Sequence, residues 1–154
     1  MIKICFVCLG NICRSPMAEF IMKDIVNKAG KGKDFYIVSK ATHSENIWRG
    51  KGAPIYPPAR RCLKAHGIPF DSEKEAALLE PDDYFDFDFF IGMDKQNLYF
   101  MHQTLGGDPA HKIHALLEYT PRGGEVADPW YTRNFERAFA DISEGCEALF
   151  EALR

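Results

Sequence analysis

Apolar positions along this 154-residue chain alternate between short continuous runs and stripes spaced three and four residues apart. Runs of the first kind read as strands buried on both faces, and stripes of the second kind as helices lying against a sheet. Ile2 to Val7, Phe35 to Ser39, Phe87 to Gly92 and Ile113 to Leu117 are the runs. Pro16 to Ala29 places Ala18, Ile21, Met22, Ile25 and Ala29 on one helical stripe that ends at Gly30. Two prolines open a helix from Pro57 to His66, with Gly67 placed to cap it. Ser72 to Leu79 predicts a short helix stopped by Pro81, and Lys95 to Leu105 a helix closed by Gly106 and Gly107. Phe135, Phe139, Ile142, Cys146, Leu149 and Leu153 mark a long amphipathic helix.

Strands alternating with helices predict an α/β fold, a parallel sheet covered on both faces. Such sheets take ligands beyond the carboxyl ends of their strands, at the switch point. The loop after the first strand occupies that place, and here it reads CLGNICRS, Cys8 to Ser15. A loop closing into a helix N-terminus points several backbone N–H groups, and the positive end of the helix dipole, into one concavity. Gly10 and Asn11 tolerate left-handed conformations, so Leu9 to Cys13 can curl around a ligand. Ser15 suits an N-cap and Pro16 a first helical residue. Arg14 can take two oxygens of a tetrahedral anion in its planar fork. Cys8 feels the same field, which favours its thiolate, and a thiolate beneath a phosphoryl group can attack phosphorus.

Composition narrows the setting. The length suits one domain, residues 1–154, with no repeat or linker-like tract. No run approaches the ~18 apolar residues of a membrane span. Met1 leads straight into the first strand, so no export signal and a cytoplasmic location are expected. A formal charge of −3 argues against a broad nucleic-acid surface. Five scattered cysteines favour free thiols over a disulfide framework.

Proton transfer to a leaving group needs an acid, and the candidate is Asp128 in ADPWYTRNFE. Pro129 holds it extended, and Trp130 and Tyr131 follow. It could then act as base for the water that releases phosphate.

With these residues in place, the chain resembles the low-molecular-weight protein tyrosine phosphatases. The Cys-x5-Arg-Ser loop near the N-terminus, GMDKQNL after the third strand and a late Asp-Pro-aromatic-Tyr segment carry the resemblance over nearly the whole chain. It implies a three-layer fold, phosphatase I-like, with a four-stranded parallel sheet of order 2-1-3-4. It implies hydrolysis of phosphotyrosine proteins or aryl phosphates to inorganic phosphate, through a phosphocysteine on Cys8, with no metal or cofactor. Arg14 would bind the phosphoryl oxygens, Ser15 hydrogen-bond the thiolate, Asn11 hold the loop, and Leu9, Gly10 and Ile12 complete the cradle. Cys13 would be a second thiol able to pair reversibly with Cys8. Trp48, Trp130 and Tyr131 would wall an aryl group, with Tyr131 alone left of a regulatory tyrosine pair.

The chain departs from the family pattern in four places. The acid loop reads Asp128-Pro129-Trp130-Tyr131-Thr132, where Asp-Pro-Tyr-Tyr-Gly is usual. A helix entrance that usually holds Asp-x-Arg is Tyr56-Pro57-Pro58, and a supporting histidine is replaced in Lys74-Glu75-Ala76-Ala77. The segment around Trp48 does not align cleanly, so this tryptophan also reads as a loop anchor. Core packing accounts for Cys5, Cys62 and Cys146, and Cys13 also reads as a core hydrophobe. His111 and His114 read as solvated, and DDYFDFDFF as a helix-to-strand junction.

Three rival functions share some of these features. An arsenate reductase on the same scaffold needs a cysteine relay reaching the attacked thiol. A phosphocarrier parks phosphate on cysteine without an acid that promotes hydrolysis. An idle phosphotyrosine-binding module needs neither thiol nor acid. No Gly-Lys-Ser/Thr nucleotide loop is present.

Overall fold

In the computed structural model, residues 1–154 are described throughout. The chain runs β1 (Ile2–Cys8), α1 (Arg14–Lys28), β2 (Phe35–Ala41), a small hairpin of β3 (Ile47–Trp48) and β4 (Lys51–Gly52), and α2 (Pro57–Ala65). It continues with β5 (Phe89–Gly92), α3 (Lys95–Leu105), β6 (Ile113–Ala115), the short α4 (Pro129–Thr132) and α5 (Phe135–Leu153). The main sheet has the order β2-β1-β5-β6 with every pair parallel, which is 2-1-3-4 once the hairpin is set aside.

β1 is apolar on both faces because both are covered. Ile4, Phe6 and Cys8 pack into the larger core with α1, α2 and α5, while Cys5 and Val7 pack into a smaller one with Met101 and Leu105 of α3. The pleat thus sends alternate residues into two cores. α5 lies against α1, where the Cys146 thiol meets the Ala18 carbonyl at 3.7 Å. Gly145 lets α5 also close on Leu116, just after β6, since a Cβ there would stand 2.5 Å from Leu116 Cγ. No helix is long and apolar enough to cross a membrane.

Several sequence expectations need correction. Ser72 to Leu79 is not a helix. Its backbone pairs with neighbours instead: Ala41 N–H donates to Ala77 O at 2.7 Å, Leu79 N–H to Ala41 O at 2.8 Å, and Ala76 N–H to Ala53 O at 2.8 Å. These tertiary partners override the helix propensity of the Ala-Ala-Leu-Leu run. Pro81 begins a 3₁₀ turn, Pro81–Phe85, rather than ending a helix. Ser15 does not cap α1: Cys13 takes that position, and Pro16 sits third, where its missing N–H costs no helix bond. The strand expected through Leu117 ends at Ala115 and passes into a 3₁₀ turn, Leu116–Tyr119.

Candidate active site

Cys8 ends β1, and the next residues turn sharply into α1. Asn11 adopts φ +55° at the bend, the left-handed region that asparagine tolerates better than most residues. Gly10 has no positive φ. A Cβ there would press on the Asn46 amide, whose Nδ2 donates to the Gly10 carbonyl at 3.1 Å, so a larger residue would have to displace this contact. None of the backbone N–H groups of Leu9, Gly10, Asn11, Ile12 and Cys13 donates to a protein acceptor. Five unpaired amides ahead of a helix N-terminus form an anion cradle.

A chain of side chains fixes the polarity behind the thiol. Asn11 Oδ1 accepts from Ala77 N–H at 3.0 Å and from Lys74 Nζ at 3.1 Å. The Asn11 amide is thereby oriented, and Nδ2 donates to Ser15 Oγ at 2.8 Å. The Ser15 hydroxyl, with one hydrogen to give, turns it toward Cys8 Sγ at 3.0 Å. Lys74 also donates to the carbonyls of Ser39 and Glu75, and burial pulls its pKa below the usual lysine range. It stands in the segment where the sequence shows no supporting histidine, and its role was not legible there. Lys74→Met is expected to lower kcat by up to about tenfold, the worth of one orienting hydrogen bond. Steady-state kinetics measures this, and an unchanged kcat would show that Ala77 alone holds the amide.

Arg14 is 4% exposed. Its Nη1 donates to Asp94 Oδ2 and to the Val126 carbonyl, both at 2.7 Å, leaving Nε and Nη2 for an anion. Burial works against its charge, but Cys8, Asp94 and Asp128 outweigh burial and raise its pKa further. Asp94 is itself held as the N-cap of α3, accepting from Asn97 N–H at 2.8 Å. The GMDKQNL stretch marked its segment, but nothing local to it announced an arginine 80 residues away.

Asp128 caps α4, its Oδ1 accepting from Trp130 N–H at 3.0 Å, and its Oδ2 lies 3.5 Å from Arg14 Nη2. Together with the loop it bounds a cleft of about 550 Å³. Tyr56, Trp130, Tyr131 and Phe135 line its walls, with the Tyr56 and Trp130 rings 5.4 Å apart. Glu45, Asn46 and Gln96 complete the rim. Tyr56 and Phe135 were missed as wall residues, although both are aromatics at helix starts.

Trp48, expected as a wall, does not line the cleft. It is 76% exposed on the β3–β4 hairpin, with the Arg49 guanidinium 5.9 Å from its ring. Positive φ at Arg49 and Gly50 turns the hairpin beyond it, and the preceding Glu45 and Asn46 reach the cleft in its stead. Ser15 lies beneath the loop rather than in the cleft, fully buried.

All five cysteines are free thiols. Burial raises the pKa of Cys13 above the usual thiol range, and the nearby Cys8 and Asp128 add to the effect. Cys5 and Cys146 are fully buried. Burial and the neighbouring Glu136 push the Cys62 thiol up to about 12. Outside the loop, then, every cysteine is buried.

A parallel sheet that delivers a thiol into an anion cradle defines a cysteine-dependent phosphoryl-transfer protein. The chain belongs to the low molecular weight phosphotyrosine protein phosphatase family, matched over residues 3–154. It is 37% identical to the low molecular weight protein-tyrosine-phosphatase PtpA of Staphylococcus epidermidis, over 98% of this chain and 93% of that one. The solved structure of YfkJ from Bacillus subtilis superposes with a TM-score of 0.92 at 35% identity, covering 99% of this chain and 94% of that one. A Drosophila arginine phosphatase superposes with a TM-score of 0.85 at 30% identity, covering 99% and 98%.

Proposed function

We propose that the protein hydrolyses phosphotyrosine and small aryl phosphates through a phosphocysteine intermediate. The observation that carries this reading is the Cys8 thiol set among five unpaired loop amides, with Arg14 and Asp128 at the same cleft.

In the first step the Cys8 thiolate attacks phosphorus, forming the S–P bond as the P–O ester bond breaks. Asp128 gives its proton to the departing phenolic oxygen. Arg14 and the loop amides hold the three equatorial oxygens, where the transition-state charge gathers. In the second step water attacks phosphorus, Asp128 takes its proton, and the S–P bond breaks to release inorganic phosphate and restore the thiolate. The family's chemistry needs no metal. Tyr56, Trp130 and Phe135 supply an aromatic wall suited to an aryl group. Cys13 serves as the partner thiol that spares Cys8 from irreversible oxidation. Free cysteines throughout fit a reducing cytoplasm.

The test is turnover of a phosphotyrosine peptide and of p-nitrophenyl phosphate at mildly acidic pH in the presence of a chelator. A phosphoarginine peptide is run beside them. Hydrolysis of the aryl esters supports the reading, while turnover of phosphoarginine alone would replace it. Asp128→Asn is expected to lower kcat on the phosphotyrosine peptide by about 10² or more. The loss on p-nitrophenyl phosphate is smaller, because nitrophenolate leaves without a proton. Equal losses on both would remove Asp128 as the acid.

A further inference from the structure

Outside the cleft, three groups of metal-binding chemistry converge at the junction of α2 and α5. Cys62 and His66 stand four residues apart, at the end of α2, and so share one face. Glu136 lies in the first turn of α5. Their ligand atoms all fall within 4.8 Å of one another. His66 Nε2 meets Glu136 Oε2 at 2.6 Å, and Cys62 Sγ meets Glu136 Oε1 at 3.5 Å. None of the three lines the cleft.

We propose that Cys62, His66 and Glu136 form a binding site for a divalent transition metal of the zinc class. Thiolate, imidazole and carboxylate are the zinc donor set, whereas magnesium and calcium select oxygen alone. In a tetrahedral zinc site the bond lengths place sulfur and oxygen ligands about 3.6 Å apart and nitrogen and oxygen ligands about 3.4 Å apart. Cys62 Sγ already stands at such a distance from Glu136 Oε1, while the His66 contact is made to the other oxygen, Oε2, so the carboxylate has to draw back from the imidazole and turn one oxygen toward both ligands. That movement is open to both side chains, which are 39% and 66% exposed. The imidazole plane is preset by stacking on Phe139, with centroids 3.9 Å apart and planes within 12°. Cys62, 5% exposed, supplies a buried anchor, and solvent reaches the ion from the side of Glu136.

Binding forms the S–metal, N–metal and O–metal bonds with no change of oxidation state. The Cys62 thiol proton leaves to solvent, and the neutral imidazole moves its hydrogen from Nε2, where it faces Glu136, to Nδ1 by exchange with solvent. Water completes the coordination. The ion ties the end of α2 to the start of α5, adjoining Phe135, whose carbonyl accepts from the Cys62 thiol at 3.7 Å. The site is independent of the reaction proposed for the cleft.

Cobalt(II) titration followed by the thiolate-to-cobalt charge-transfer band tests the proposal, performed on Cys8→Ser protein to remove the cleft thiol. One equivalent of cobalt is expected to bind with this band, zinc to displace it, and one proton to be released per ion. Glu136→Gln and His66→Ala, both at exposed side chains, are expected to weaken binding by about tenfold or more. Cys62→Ser is expected to abolish the band, with circular dichroism confirming that the variant is folded. Absence of the band, or binding unchanged in Glu136→Gln and His66→Ala, overturns the site.

Discussion

Cys8→Ser is expected to lower kcat by about four orders of magnitude or more, because loss of a covalent nucleophile removes the pathway itself. The substitution is nearly isosteric, so the surroundings stay as they are. The five loop amides still face the cleft, Arg14 still presents Nε and Nη2 on the Asp128 side, and Ser15 Oγ still has a neighbour within hydrogen-bond reach. What changes is the nucleophile. An alkyl hydroxyl is a far weaker acid and a far weaker nucleophile than a thiol. The variant therefore separates binding from chemistry. Inorganic phosphate is expected to raise the melting temperature of wild type and variant alike, while p-nitrophenyl phosphate turnover is lost only in the variant. A variant that keeps turnover within tenfold of wild type would sink the phosphocysteine pathway. A wild type that binds phosphate but turns over no phosphate ester would leave a binding module.

The parts of this fold legible in the sequence are those where local pattern and tertiary role agree. The apolar run Ile4 to Val7 is a central strand because both its faces are covered. The stripe from Phe135 to Leu153 is a helix packed on α1. The turn from Cys8 to Ser15, with its unpaired amides and buried arginine, was readable because strand, turn residues and arginine are contiguous. Its failures are of one kind. Lys74, Ala76 and Ala77 look helical in isolation, but their backbone and side-chain groups are taken by Ala53, Ala41 and Asn11, which come from other parts of the chain. Asp94 and Val126 hold Arg14 from positions 80 and 112 residues away. Trp48 fits the aromatic-wall chemistry, but it sits on a hairpin closed by two left-handed residues and does not line the cleft. Local periodicity registers none of these long-range partners.

Arg14→Lys is expected to lower kcat/KM by about 10³, although it conserves the charge. The guanidinium performs two tasks at once. Nη1 is spent on Asp94 and on the Val126 carbonyl, and this grip sets the plane in which Nε and Nη2 face the cleft. A lysine ammonium is a point charge with no such division between a held edge and a presented edge. If it reaches the transferring phosphoryl group, it cannot also hold Asp94 and Val126 in the same geometry. One transition-state donor is worth about 10² to 10³ in rate, so losing the paired presentation reaches about 10³ even with the charge retained. The framework suffers as well. The Val126 carbonyl, buried with no exposed surface around its residue, loses its arginine donor at about 1–3 kcal/mol. A lowered melting temperature is therefore expected beside the kinetic loss. Steady-state kinetics with p-nitrophenyl phosphate, thermal denaturation and phosphate binding on the same preparation distinguish the two tasks. Full activity at reduced stability would leave Arg14 a structural tie. Lost activity at unchanged stability would place its whole contribution in the cleft, and losses in both are the result that the shared guanidinium requires.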